Sequence, residues 1–153
     1  MIAWIDKSLA LAIHDRQLAE FGGSEGVRDA TLLESALARP QQLYAYGEPA
    51  PDLADLAASL AFGLARNHPF VDGNKRTAHV CYRTFLALND LAMNASTEDM
   101  YVSILALATS KLPEKDFAAW LRRHISAAHG QQIQEPRPAP YRARQTRQRA
   151  RKC

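Results

Sequence analysis

The segment HPFVDGNKRTA, residues 68–78, places a histidine, an aspartate, a glycine, an asparagine and two adjacent cations within a short stretch between two apolar segments. A turn needs glycine, aspartate or asparagine for its backbone angles, but it does not need an imidazole and two neighbouring cations. We call residues 68–78 the central loop. Their combined chemistry makes them the candidate active site.

Apolar residues at helical spacing flank the central loop on both sides. Before it, residues 53–67 are apolar almost all round, which predicts a helix at the centre of the domain with Asp52 as its N-cap. The pattern predicts further helices from Ser8 as N-cap to Phe21, from Asp29 as cap through Ala30 to Ala38, from Asn74 or Lys75 to about Asn89, from Glu98 to Ser110, and from Pro113 to Gly130. Six helices and no convincing strand predict an all-α fold, a compact bundle.

Two segments interrupt the helical pattern in the first part of the chain. Three glycines within residues 22–28 make that segment too flexible for a helix interior, and we expect an exposed flap or irregular hairpin there. Loops of this kind often contact substrates. Arg39 and Pro40 are predicted to end the second helix, because proline cannot continue the backbone hydrogen bonds.

The composition predicts one soluble globular domain. The chain has 153 residues, of which 47% are apolar and 23% are charged. No apolar run reaches the roughly 18 residues of a membrane span, and residues 1–7 do not resemble a secretion signal, so we expect a cytoplasmic protein without a membrane partner. Two cysteines supply neither a disulfide framework nor a metal site, and Cys81 is expected to fill the core.

Charge is distributed unevenly along the chain. Lys and Arg number 12 against 15 Asp and Glu in residues 1–130, but 7 against 1 in residues 131–153. Residues 131–153 also contain three prolines and six arginines without apolar periodicity, which predicts a basic, disordered tail outside a folded domain of residues 1–130. Such a tail could contact nucleic acid, but we expect a solvated extension.

The chemistry of the central loop predicts a phosphate site. The helix after the loop begins with N–H groups that have no intrahelical acceptor, and Gly73 and Asn74 allow several of them to point into one concavity. Lys75 and Arg76 lie at the same helix end, where the helix dipole disfavours cations unless an anion compensates them. Arg76 can bind phosphate through two parallel hydrogen bonds, and Lys75 acts as a point charge. Together, Lys75 and Arg76 suit a nucleoside polyphosphate.

Two more side chains of the loop complete this hypothesis. Asp72 offers a hard oxygen ligand beside the anion site, and Mg²⁺ is usually held by one or two carboxylates together with phosphate oxygens. His68 can accept a hydroxyl proton near neutral pH. Phe70, between them, is expected to pack into the core. Each residue alone would more often be an ordinary turn or surface residue, so the hypothesis depends on their coincidence.

The remaining histidines carry weaker signals. His14 and Asp15 on the first helix could orient the site, or they could form a surface pair. His79, His124 and His129 show no metal-ligand spacing, and we expect structural or solvent-exposed roles for them.

At these residues the sequence resembles the Fic/Doc (Fido) superfamily, whose Fic branch carries the motif His-x-Phe-x-Asp/Glu-Gly-Asn-Gly-Arg-x-x-Arg. Lys75 replaces the second glycine of that motif, and His79 replaces the second arginine. The run NKRTA at residues 74–78 is instead similar to the death-on-curing (Doc) branch. The same branch is indicated by HD at residues 14–15, GG at 22–23, GVRD at 26–29 and LESAL at 33–37. The resemblance covers about residues 4–127.

The resemblance implies an all-helical Fido fold whose flap presents a target segment to the central loop. It also implies the toxin of a type II toxin–antitoxin pair, neutralised by a small, Phd-like antitoxin. Doc-type proteins resemble kinases, which implies transfer of the γ-phosphate of ATP, with Mg²⁺, to a threonine or serine hydroxyl of a translation factor of the elongation factor Tu class. The expected roles are His68 as base, Asp72 as metal ligand, Gly73, Asn74, Lys75 and Arg76 around the phosphates, and Arg66 as a residue that could assist.

Two alternatives stay open at this point. One is AMP transfer to a hydroxyl, as in Fic enzymes. The other is a non-catalytic module that binds nucleic acid or an antitoxin. A lysine at position 75 fills space that a buried diphosphate would need, and it favours a pose with the terminal phosphate nearest His68. Neither end of the chain shows an evident inhibitory Ser/Thr-x-x-x-Glu helix, so inhibition by a separate protein is expected.

Overall fold

The computed structural model of the protein describes residues 1–128, which form six α-helices and one two-stranded sheet. The helices are α1 (Lys7–Phe21), α2 (Ala30–Tyr46), α3 (Leu53–Asn67), α4 (Asn74–Leu88), α5 (Thr97–Ala108) and α6 (Glu114–His124), and the strands are β1 (Leu91–Met93) and β2 (Ile125–Ala127). The predicted all-α class is confirmed. The predicted tail, residues 131–153, and His129 lie outside the described residues. No helix within residues 1–128 combines the length and apolarity needed to cross a bilayer.

Helix α3 is the element around which the bundle packs. Ten of its fifteen residues are buried, and it contacts α2, α4, α5 and α6. Asp52 and Asp55 form a reciprocal capping box at its start. Arg122 of α6 lies 2.7 Å from Asp52 and 2.9 Å from Asp55, and its hydrogen bond lowers the pKa of Asp52 to about 2. One end of α3 is therefore tied to α6, and the other end leads into the central loop.

The prediction that Arg39 and Pro40 end the second helix is wrong. Helix α2 continues through Pro40 to Tyr46, although proline has no N–H to donate to the carbonyl of Ala36. Pro40 is buried, and the extra turns bring Leu43 against the core. Packing of this amphipathic face offsets the missing hydrogen bond. Local sequence rules do not include such packing, so they predicted a helix end at Pro40.

Three smaller predictions also need correction. Helix α1 is capped by Asp6, whose carboxylate accepts the N–H of Leu9, and not by Ser8. The last helix ends at His124 and not at Gly130. The expectation of no strand is wrong, because Leu91 pairs with Ala127 in the antiparallel β1–β2 sheet. These strands are three residues long, which is too short for an alternating pattern to mark them.

Helices α2 and α3 approach closely at one glycine. A Cβ on Gly63 would lie 3.1 Å from both the Cα and the Cβ of Ala36, which is tighter than an ordinary van der Waals contact. The missing side chain allows α3 to lie deep against α2. The buried Gly63 is therefore a packing position and not a flexible one.

We expect Gly63→Val to lower the free energy of unfolding by about 1–3 kcal/mol, because the new side chain overpacks the contact with Ala36. Urea denaturation followed by circular dichroism measures this loss. Ala87→Val, at an exposed position of α4, serves as the control and should cost only a few tenths of a kcal/mol through helix propensity. Equal effects of the two substitutions would contradict the close α2–α3 contact.

Candidate active site

The central loop begins at a strained residue that a distant arginine holds in place. His68 ends α3 with a left-handed backbone, φ 51° and ψ 56°, a conformation that side chains other than glycine rarely adopt. Arg28 donates from Nε to the carbonyl of His68 at 2.7 Å and from Nη2 to the carbonyl of Asn67 at 2.8 Å. These hydrogen bonds satisfy carbonyls that the helix end leaves free. Arg28 thereby fixes the backbone of the candidate base.

The flap, residues 22–28, lies along the central loop. The N–H of Val71 donates to the carbonyl of Gly26 at 3.0 Å, and the N–H of Arg28 donates to the carbonyl of Pro69 at 2.7 Å. Val27 and Phe70 form an antiparallel bridge between these two bonds. All residues of the flap are exposed, as predicted. The segment pairs with the loop and does not fold back on itself as a hairpin.

An internal amide bridge closes the loop. The side chain of Asn74 accepts the N–H of Phe70 and donates to the carbonyl of Phe70, both at 2.9 Å. The Phe70 side chain is 1% exposed, which confirms its predicted place in the core. Each polar atom of the Asn74 side chain makes one of these bonds, so the amide is directed toward the backbone of Phe70.

His14 supports the loop from α1. Its imidazole ring stacks on the ring of Phe70, with the centroids 3.8 Å apart. Its Nε2 lies 2.8 Å from the carbonyl oxygen of Asp72, and because a carbonyl only accepts, Nε2 is the donor. His14 is buried, whereas Asp15 is exposed. Of the two roles left open by the sequence, the structure therefore gives His14 a contact with the loop.

The carboxylate of Asp72 is held by two backbone N–H groups. Oδ2 accepts from Ser24 at 3.1 Å, and Oδ1 accepts from Gly73 at 2.8 Å. The hydrogen bonds from Ser24 and Gly73 hold the pKa of Asp72 below its ordinary value, which keeps this exposed group ionised. A Cβ on Gly23 would lie 2.8 Å from Oδ2, so glycine is needed for the flap to approach this closely.

Arg76 contacts the flap from α4. Its Nη2 donates to the carbonyl of Gly22 at 3.1 Å, and its guanidinium lies 5.3 Å from the ring centre of Phe21. Its Nε is buried and has no acceptor in the described part of the chain. Arg76 therefore retains a donor that no protein group within residues 1–128 uses.

Several residues of the central loop line one cavity of about 330 Å³. Gly73 is the N-cap of α4 in a left-handed conformation, φ 76°, and no side chain caps the helix, so its first-turn N–H groups are open to an anion. The lining residues are His68, Val71, Asp72, Gly73, Asn74, Lys75, Arg76 and Tyr101. The structure thus brings together all the predicted site residues except Arg66, whose guanidinium lies over the Phe62 ring at 5.2 Å. The assisting role of Arg66 stays a prediction.

The histidine at the position of the second Fic arginine is buried and uncharged. His79 stacks on Tyr82 with ring centres 5.8 Å apart. Burial, helped by the nearby charge of Arg83, lowers the pKa of His79 to about 4. His79 therefore cannot supply a positive charge to a phosphate near neutral pH.

Sequence reasoning missed two residues of the site. Arg28 lies within the GVRD run at residues 26–29, which pointed to the family but not to a role for its side chain. Tyr101 lies on α5, well after the central loop, and no local pattern distinguishes it from other half-exposed tyrosines. Only the packing of α5 against α4 brings it to the cavity.

Comparison with known proteins places the chain in a family. The model of the Fic/DOC family matches residues 4–86. The chain is 53% identical over 76 residues to "Toxin Doc" of Mycolicibacterium smegmatis, a match that covers 49% of this chain and 58% of that protein. It is 33% identical over 118 residues to "Protein kinase doc" of Escherichia phage P1, a match that covers 77% of this chain and 92% of that protein. The chain therefore belongs to the Fic/DOC family, and the resemblance to its Doc branch is confirmed.

The neutral state of His79 predicts a pH-dependent stability. The contribution of neutral His79 is fully present above its ordinary pKa of 6.5 and is lost as the pH falls through the folded-state pKa of about 4. Between pH 7 and pH 5, the free energy of unfolding of the unmodified protein should fall by about 1 kcal/mol more than that of His79→Phe. Urea denaturation at both pH values measures this difference, and equal losses would contradict the burial of a neutral imidazole.

Proposed function

We propose that the protein is a Doc-type toxin that transfers the γ-phosphate of ATP to a threonine or serine hydroxyl of a translation factor of the elongation factor Tu class. The observation that supports this proposal is a single cavity. The candidate base His68, the cation Lys75 and the uncapped N-terminus of α4 all line it. The names of the two relatives, a toxin and a protein kinase, support the same function.

The triphosphate would bind at the start of α4. The free N–H groups of the first helical turn and the positive end of the helix dipole favour phosphate oxygens. Lys75 adds a mobile point charge, and Arg76, which also lines the cavity, adds a second cation at the same helix end. A terminal phosphate at this position lies in the cavity that His68 also lines.

Asp72 fits the role of a magnesium ligand. Each of its oxygens accepts one hydrogen bond, and a carboxylate oxygen has a further lone pair. Within residues 1–128 there is no cluster of three or more His, Cys, Asp or Glu side chains that could hold a metal ion, so phosphate oxygens and water would supply the other ligands, as is usual for Mg²⁺. Held by Asp72, such an ion would supply positive charge against the negative charge of the phosphates.

The reaction then follows from the roles of two side chains. His68 accepts the proton of the target hydroxyl as its oxygen forms a bond to the γ-phosphorus. The bond between the γ-phosphorus and the β–γ bridging oxygen breaks, and ADP leaves with the electron pair. Lys75 stabilises the charge on the transferring group. The hydrogen bonds of Arg28 to the backbone of His68 hold the base in position throughout.

Partner and location belong to the same proposal. The flap is exposed and paired with the central loop, so a target segment lying against it would present its hydroxyl near His68. A small Phd-like antitoxin would neutralise the toxin. A translation factor as target requires a cytoplasmic protein.

AMP transfer is the second candidate. The central loop shares most of the Fic motif, and the family model covers both branches. The neutral His79 at the position of the second arginine removes one phosphate-binding charge that the Fic motif contains. This difference favours phosphoryl transfer.

Labelled ATP distinguishes the two reactions. Incubation with a translation extract and Mg²⁺ should transfer label from γ-labelled ATP and none from α-labelled ATP. His68→Ala should reduce transfer about 10²–10⁴-fold because it removes the general base, and Lys75→Ala should also reduce it. Lys111→Ala, an exposed lysine that does not line the cavity, is the matched control. Label transferred only from the α-phosphate would overturn the kinase proposal.

A growth assay separates catalysis from a non-catalytic binding module. Expression of the unmodified chain should inhibit growth, and His68→Ala should relieve the inhibition. Truncation after Gly130 should leave the inhibition intact. The opposite pattern would indicate that residues 131–153 act by binding and that the cavity is not the source of toxicity.

A further inference from the structure

Tyr101 gives the cavity a surface that phosphate binding does not need. Apart from the candidate base His68, it is the one aromatic residue among the side chains that line the cavity within residues 1–128, and it is 41% exposed. Val71, 52% exposed, adds a second apolar group. The other lining residues are polar, charged or glycine. The cavity therefore combines a polyanion site with a small apolar wall.

The ring of Tyr101 lies beside the buried ring of His79, which belongs to a cluster of aromatic side chains. Its centre lies 6.4 Å from that of His79, which stacks on Tyr82, and Tyr82 meets the edge of Phe117 at 5.4 Å. Tyr82 and Phe117 are fully buried. Tyr101 therefore has one aromatic neighbour from the packed interior, and its exposed part is left for a ligand.

A nucleoside triphosphate matches this combination of surfaces, since it joins a polyanion to a flat apolar ring. We propose that Tyr101 is the base-binding wall of the site and that the nucleobase stacks on its ring while the phosphates lie at the start of α4. This inference rests on the proposed function and adds to it the binding surface for the base.

The same geometry predicts that the site binds the face of the nucleobase by stacking and makes no specific hydrogen bonds to its edge. Asn74 supplies the one amide side chain among the lining residues of the described chain, and both of its polar atoms are bonded to the backbone of Phe70. Stacking on an aromatic ring tolerates every base, because every base has a π-face. The site should therefore accept ATP and GTP with similar affinity.

Equilibrium binding to the full chain tests the proposal. Calorimetric titration with ATP, GTP and inorganic tripolyphosphate, each with Mg²⁺, separates the contribution of the base from that of the phosphates. Tyr101→Leu removes the ring but keeps apolar volume, and it should weaken ATP and GTP about 10- to 100-fold while leaving tripolyphosphate unchanged. Tyr101→Phe should retain the original affinities. Tyr46→Leu, at an exposed tyrosine that does not line this cavity, is the matched control.

The outcomes separate this inference from the function on which it rests. Unchanged ATP affinity in a folded Tyr101→Leu protein would overturn the base-binding role, as would an ATP affinity no higher than that of tripolyphosphate. An affinity for ATP far above that for GTP would overturn recognition by stacking alone. Absence of binding by both ATP and tripolyphosphate would overturn the proposed phosphate site itself.

Discussion

The two hydrogen bonds between the Asn74 amide and the backbone of Phe70 are the constraint on which the site depends. They close the central loop so that the end of α3 and the start of α4 face the same cavity. Without this closure, His68 at the end of α3 and the first-turn N–H groups of α4 would not face the same cavity. His14 supports the closed loop from α1 through its stack on Phe70 and its bond to the Asp72 carbonyl. The Asn74 amide bonds the backbone of Phe70, and His14 contacts the Phe70 ring and the Asp72 carbonyl, so neither contact uses the side chains of His68 or Lys75.

The flap is held by the same charged residues that the proposed chemistry requires. Asp72 accepts a hydrogen bond from Ser24, and Arg76 donates one to Gly22. Arg28 makes the reverse connection, from the flap to the end of α3. The positions of the flap, of His68 and of the start of α4 are therefore coupled through charge-assisted hydrogen bonds, which are stronger and more directional than neutral ones. This coupling explains why a glycine-rich segment lies in a defined place beside the cavity.

The structure also shows the physical consequences of the two sequence differences from the Fic motif. At position 75 a lysine lines the cavity where the motif has glycine, and at position 79 a histidine replaces arginine. The structure shows that His79 is buried and that burial keeps its imidazole neutral. One positive charge is thus gained at the start of α4, and another is absent further along the same helix. Composition alone could not show this, because a histidine can be charged or neutral according to its surroundings.

The sequence by itself determined the helical class, the boundaries of α3 and α4 and the identity of the central loop, because helical periodicity, caps and glycines act through near neighbours. It did not determine the course of α2 through Pro40 or the β1–β2 pair, since long-range packing decides both. The tertiary structure alone placed Arg28 and Tyr101 at the site and directed the Asn74 amide to the backbone of Phe70. These contacts join residues on different elements or select among several partners, and only the packed bundle decides which groups meet.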